Sequence, residues 1–298
     1  MKLSSIVGAM VVASTLTLLT GCATVPPPHR SAEPAVVDVM IPVGEDVLPA
    51  TLHLASSAAP QPSVIWLHGF PGLPELGNGS IDALRNEGLN VLTLHYRGSW
   101  GAPGTFSAAH ALEDANAAVT FLRSPETVAA YGIDPDGTVL MGDSFGSWVA
   151  LQTAARDPLV PCVGAALVFD LGGLGAELSR DEAVRGGFEQ MFSDVDNAPE
   201  LGYTLATGAS GLADEIISGR DQYGLAGLAP ALRDRPVFLL GAEADELAPV
   251  EFHLRPFSDA LHAAGNSRVT QTMLPGGHEL PNSEYASLFA DWVNRNCR

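Results

Sequence analysis

Ser144 stands inside Gly142-Asp143-Ser144-Phe145-Gly146, a G-x-S-x-G string of the kind that presents a nucleophilic hydroxyl. Such strings are common by chance. Here the string lies between a short apolar run, Thr138 to Met141, and a run with helical spacing, Ser144 to Arg156. A sharp turn from strand to helix at that point strains the serine backbone. It demands glycine where side chains would collide, and it aims the hydroxyl at the N-terminal end of a helix. A serine hydroxyl needs a base, and the base needs an orienting carboxylate. Eight histidines compete for the first role. His29 lies in a Pro-rich stretch, His53 and His95 in predicted strands, and His110, His253 and His262 in predicted helices, where packing or surface roles are expected. His68 sits in a glycine-rich loop, His68-Gly69-Phe70-Pro71-Gly72, and is read as shaping it. His278 differs, because it follows the last predicted strand in the flexible loop Pro275-Gly276-Gly277-His278. Catalytic groups gather at that edge of a parallel sheet, so His278 is the expected general base.

The elements that must position these residues follow from apolar periodicity. Val36 to Val43 and Val47 to Ala55 read as an antiparallel hairpin about a Gly-Glu-Asp turn. Short apolar strands are then expected at Ser63 to Leu67, Asn90 to Tyr96, Thr138 to Met141, Val163 to Phe169, Pro236 to Leu240 and Arg268 to Leu274. Between them lie helical patterns at Ile81 to Glu87, Ala108 to Arg123, Ser144 to Arg156, Val250 to Ala264 and Glu284 to Asn296. This alternation implies an α/β fold with a mostly parallel central sheet and helices on both faces. Residues 171 to 235 hold helical segments, including Arg180 to Phe192 and Leu212 to Ser218, but no strand. The stretch is too long for a plain loop and reads as a helical cap inserted between two core strands.

With these motifs in these positions, the chain from about residue 36 onward resembles the α/β-hydrolase superfamily, nearest its esterase, dienelactone-hydrolase and prolyl-oligopeptidase-like branches. Ser147 is a departure, since many members have a second glycine there. The resemblance implies that Phe70, in the loop after the strand ending at Leu67, and Phe145 supply the two backbone amides of an oxyanion hole. It also implies the acid. Asp245 lies four residues after Gly241 and four before Pro249, and the order Ser144, Asp245, His278 is the superfamily's order. Asp170, after the preceding strand, is the alternative, and Glu243 and Glu246 are nearby decoys. Epoxide hydrolases and dehalogenases share a His-Gly-x-Pro loop but use an aspartate nucleophile, which Ser144 excludes. The implied activity is cleavage of carboxylic esters through an acyl-enzyme, with a small-molecule acyl substrate. A peptidase, an acyltransferase and a non-catalytic binding module remain as rival readings. Arg97 and Trp100 follow a strand toward the same edge; pairing with an internal carboxylate and loop packing are their favoured roles.

The rest of the sequence bounds the setting. With 34 acidic against 15 basic residues the net charge is −19, which disfavours nucleic acid as a partner. No zinc-type His/Cys cluster, P-loop or dinucleotide fingerprint is present, so neither metal nor cofactor is implied. Lys2 followed by the apolar stretch Ile6 to Leu19 reads as a signal peptide over residues 1–21. Leu19-Thr20-Gly21-Cys22 resembles the lipobox of bacterial lipoproteins, with Cys22 as the lipidated residue. With Ala at 23, that resemblance favours the outer membrane of a bacterial envelope, on the periplasmic side. Residues 22–35, with four prolines, read as a tether, and residues 36–298 as the hydrolase domain. Cys162 and Cys297 are left either as a disulfide at the sheet edge opposite the site or as two unpaired thiols.

Overall fold

The computed structural model of the protein describes residues 35–57, 59–72, 77–198 and 201–297. The expected signal peptide, Cys22 and all of the tether except Ala35 lie outside the described residues. The chain begins with a hairpin of β1 (Ala35–Val43) and β2 (Asp46–Leu54), closed at Gly44 with φ 58°. It continues through β3 (Gln61–Leu67), α1 (Asn78–Asn86), β4 (Asn90–Leu94), α2 (Ala108–Arg123), α3 (Pro125–Tyr131), β5 (Ile133–Asp143), α4 (Phe145–Arg156) and β6 (Val163–Ala166). Three helices follow, α5 (Leu171–Leu178), α6 (Glu182–Asp196) and α7 (Gly208–Tyr223), with a 3-10 turn at Leu225–Leu228. β7 (Val237–Ala242), α8 (Leu254–Ala263), β8 (Val269–Leu274) and α9 (Asn282–Asn296) complete it.

One eight-stranded sheet runs in the order β1-β2-β4-β3-β5-β6-β7-β8. β1 with β2 and β2 with β4 pair antiparallel, and all other neighbours are parallel. The central strands are buried on both faces, and their side chains alternate between two cores as a period of two requires. Ile65, Leu67, Leu140 and Leu239 pack with α2, α4 and α8, whereas Val64, Trp66, Val139, Met141, Phe238 and Leu240 pack with α1 and α9. Cys162 directly precedes β6 and Cys297 directly follows α9, and the two form a disulfide with a Cα–Cα distance of 5.7 Å. It lies where the parallel strands begin, at the edge opposite Ser144. Among the described residues, no helix is long and apolar enough to cross a membrane.

Several elements differ from the expectations: β5 already begins at Ile133 rather than Thr138, and β4 stops at Leu94 rather than Tyr96. Helix α3 was not anticipated, although Ser124 caps it by accepting the Thr127 amide, Pro125 opens it and left-handed Gly132 ends it. The strand expected to reach Phe169 stops at Ala166, because Leu167 turns the backbone to φ 49°. The helix expected from Val250 starts at Leu254, so His253 lies in the turn before it.

Within 171–235 the described residues form α5, α6, α7 and the 3-10 turn, and all three helices line a cavity that includes Ser144. Asp170 begins this insertion: its Oδ1 accepts from the amides of Gly172, Gly173 and Leu225, tying both ends of the three-helix segment to one carboxylate. Arg97 is absorbed by the fold. Its Nε lies 2.6 Å from Asp114 and its Nη2 2.6 Å from Glu113. Trp100 donates to the Gly72 carbonyl and packs against Tyr203.

Candidate active site

At the end of β5 the chain turns through Ser144 with φ 52° and ψ −124°, a conformation that ordinary residues avoid, and enters α4 at once. The flanking glycines are required by the distances. A Cβ on Gly142 would lie 2.0 Å from the Gly146 carbonyl oxygen, and one on Gly146 would lie 1.9 Å from the Leu67 carbonyl oxygen. Ser147 uses its hydroxyl where a second glycine was expected. Its Oγ donates to the Ser144 carbonyl at 2.6 Å and accepts from the Phe169 amide at 3.0 Å, binding the turn to the segment after β6.

His278, in the loop after β8, brings Nε2 to 2.8 Å from Ser144 Oγ. Its Nδ1 lies 2.8 Å and 3.0 Å from the two oxygens of Asp245, in the loop after β7. Asp245 Oδ1 also accepts from the amides of Ala248 at 2.8 Å and Leu247 at 3.0 Å. Burial pushes the Asp245 carboxyl up, but the His278 bond and the two amides outweigh it, leaving it below the usual carboxylate range. An ionised Asp245 therefore holds Nδ1–H, leaving the Nε2 lone pair for the serine proton. Asp170 is occupied in capping α5, and Glu243 and Glu246 are exposed.

Asp143, next to Ser144, accepts from the Trp66 indole at 3.0 Å. Burial lifts its carboxyl to about 6 despite that bond. The loop after β3 lies against Ser144: a Cβ on Gly69 would stand 3.3 Å from Ser144 Cβ. His68 is buried there, donating from Nδ1 to the Gly69 carbonyl with its ring 4.5 Å from Tyr96, so it shapes the loop. Phe145 opens α4, and its amide is one of the first-turn N–H groups that a helix leaves without an internal partner.

The sequence profile of the alpha/beta hydrolase family matches residues 64–292, more than half of the chain. The chain belongs to the alpha/beta hydrolase family.

Solved structures agree with that fold at low identity. An esterase of Pyrococcus furiosus matches at 18% identity and a TM-score of 0.62, over 90% of this chain and 95% of its own. The alpha/beta hydrolase GrgF from a Penicillium species matches at 17% identity and a TM-score of 0.63, over 88% and 99% respectively. The esterase domain of a Rhodothermus marinus protein matches at 16% identity and a TM-score of 0.56, over 89% and 100%. No protein with a curated description matches the chain in sequence.

Two cavities of this alpha/beta hydrolase meet at Ser144. One, of about 150 Å³, lies beneath the helical insertion and is mainly apolar and rich in aromatic rings, with Phe70, Phe106, Phe145, Phe169 and Phe192 in its wall. The Phe70 ring stacks 3.6 Å from Phe106 and 5.3 Å from Phe192. The other, of about 520 Å³, opens on the His278 side past Asp143, Glu279 and Asn282. Among the described residues, no group of three or more His, Cys, Asp or Glu side chains could hold a metal ion. One site residue was missed by the sequence reading: His253, expected to be an ordinary helix residue, stands in the aromatic cavity's wall.

Proposed function

We propose that the protein is a serine hydrolase that cleaves carboxylic esters through Ser144, His278 and Asp245. The observation that carries this reading is the unbroken chain of hydrogen bonds from Ser144 Oγ through both imidazole nitrogens to Asp245. His278 Nε2 takes the hydroxyl proton as Oγ attacks the acyl carbon. The amides of Phe70 and Phe145 receive the developing oxyanion, and Asp245 balances the imidazolium. The imidazolium returns its proton to the departing alkoxide, and water activated by the same nitrogen then releases the acyl group. Two cavities of different character on either side of Ser144 suit an acyl group and an alcohol of unlike polarity.

The test is hydrolysis of p-nitrophenyl acetate and butyrate beside Ser144→Ala, with labelling by a fluorophosphonate probe. Turnover and labelling that both vanish in the variant support the reading; labelling of the wild type without turnover of any ester points to a peptidase; neither activity in folded protein makes it a binding module. For location, the Leu19-to-Cys22 segment supports a lipid anchor at Cys22 facing the periplasm from the outer membrane. Radiolabelled palmitate incorporation lost in Cys22→Ala is the expected outcome.

A further inference from the structure

The wall of the aromatic cavity contains one buried imidazole that the triad does not use. His253, only 9% exposed, stacks on Phe169 at 4.9 Å. Its Nδ1 lies 2.9 Å from the Asp170 amide nitrogen. A backbone N–H can only donate, so Nδ1 must offer a lone pair, and the ring proton of the neutral form must sit on Nε2. Burial keeps the ring in that neutral form by pushing its pKa down to about 4, against the pull of Asp245. The tautomer is thus set by the backbone, and Nε2–H is a fixed donor. Among the described residues Nε2 has no hydrogen-bond partner, and it is not one of the polar atoms sealed from all space. His253 lines the cavity that also holds Ser144.

The other side chains of that wall are apolar except Ser144 and Glu177, and Glu177 is exposed. An apolar cavity of about 150 Å³ takes a benzene-sized group. A wholly hydrocarbon acyl chain would fill it but leave a buried donor unpaired, and such sites discriminate strongly against ligands that lack the matching acceptor.

We infer that this cavity is an acyl subsite for acids of benzene-like size that carry an acceptor oxygen, an ether, oxo or hydroxyl oxygen, which takes the Nε2–H of His253. The inference rests on the ester reading above. His253 touches no reacting atom; it selects and orients the acyl group.

The test compares the p-nitrophenyl esters of hexanoic, 3-oxahexanoic, 4-oxahexanoic and 5-oxahexanoic acids, each kcat/KM divided by that ester's alkaline hydrolysis rate. The expected result is that one oxa ester exceeds hexanoate by about tenfold in the wild type. That preference falls to near unity in His253→Phe, and His253→Gln, which keeps a donor, retains part of it. Uniform ratios across the series in the wild type would overturn the inference while leaving the ester reading intact, whether or not either variant folds. A preference that survives in folded His253→Phe also overturns it. If no ester turns over although Ser144 is labelled by the fluorophosphonate, the ester reading fails and this inference falls with it.

Discussion

Glu215, on the helical insertion, accepts from the amide of Ala109 in the first turn of the core helix α2, at 2.8 Å. It also takes the Ala108 amide at 3.2 Å, while Ser107 takes that of His110, so the insertion completes the capping of a core element. A carboxylate there satisfies orphan donors and faces the positive end of the helix dipole. Glu215→Ala is expected to cost about 1–2 kcal/mol in urea unfolding and to raise KM for butyrate esters more than it lowers kcat. An unchanged unfolding midpoint would show that the insertion docks without this contact.

Gly146 has no room for a side chain. With the Leu67 carbonyl 1.9 Å from any Cβ, Gly146→Ala must displace either the start of α4 or the end of β3. Loss of at least about 3 kcal/mol is expected, together with loss of Ser144 labelling in whatever folds. Gly187→Ala, on α6 with nothing within 4 Å of its Cβ, is the control and should be neutral or slightly stabilising.

Asp143 makes stability depend on pH in an unusual direction. Its folded value of about 6 exceeds its ordinary 3.8, so the folded state binds the proton more tightly. The contribution is favourable below about pH 4 and is lost as pH rises through about 6. Asp143→Asn, which still accepts from Trp66, should stabilise the protein by about 1–3 kcal/mol at pH 7.5 and by nothing at pH 4. Thermal melts at the two pH values provide the check; equal gains at both would refute the assignment.

Asp245→Asn should leave the fold and KM nearly intact while kcat falls about 10⁴-fold, because the amide favours the wrong imidazole tautomer. Steady-state kinetics on butyrate esters measure it.

The disulfide closes a loop between residues 135 apart in sequence. Replacing both cysteines by Ala should lower unfolding free energy by about 2–5 kcal/mol without changing kcat, since the bond lies at the far end of the sheet from Ser144. A reductant should produce the same shift in the wild type and none in the variant.

The elbow was legible in the sequence because its glycines answer to backbone collisions that any strand-to-helix turn of this kind creates. The nearness of Ser144, Asp245 and His278 was legible because each follows a strand of one parallel sheet, so all three arrive at one edge. His253 was not. What distinguishes it is the Asp170 amide, 83 residues away, and no local pattern carries that relation. The early end of β6 was hidden likewise, because the left-handed Leu167 accompanies the Phe169 amide's bond to Ser147. Helix α3 had its own signals in Ser124, Pro125 and Gly132, but the apolar periodicity of seven residues is too short to register. For the cysteines, only the meeting of β6's start with α9's end decides the pairing.

β1 is antiparallel to β2, and β2 to β4, so β1 points the same way as the parallel strands. Ala35 therefore enters the sheet at the end remote from Ser144. Anything attached ahead of Ala35 thus meets the sheet on the side away from Ser144.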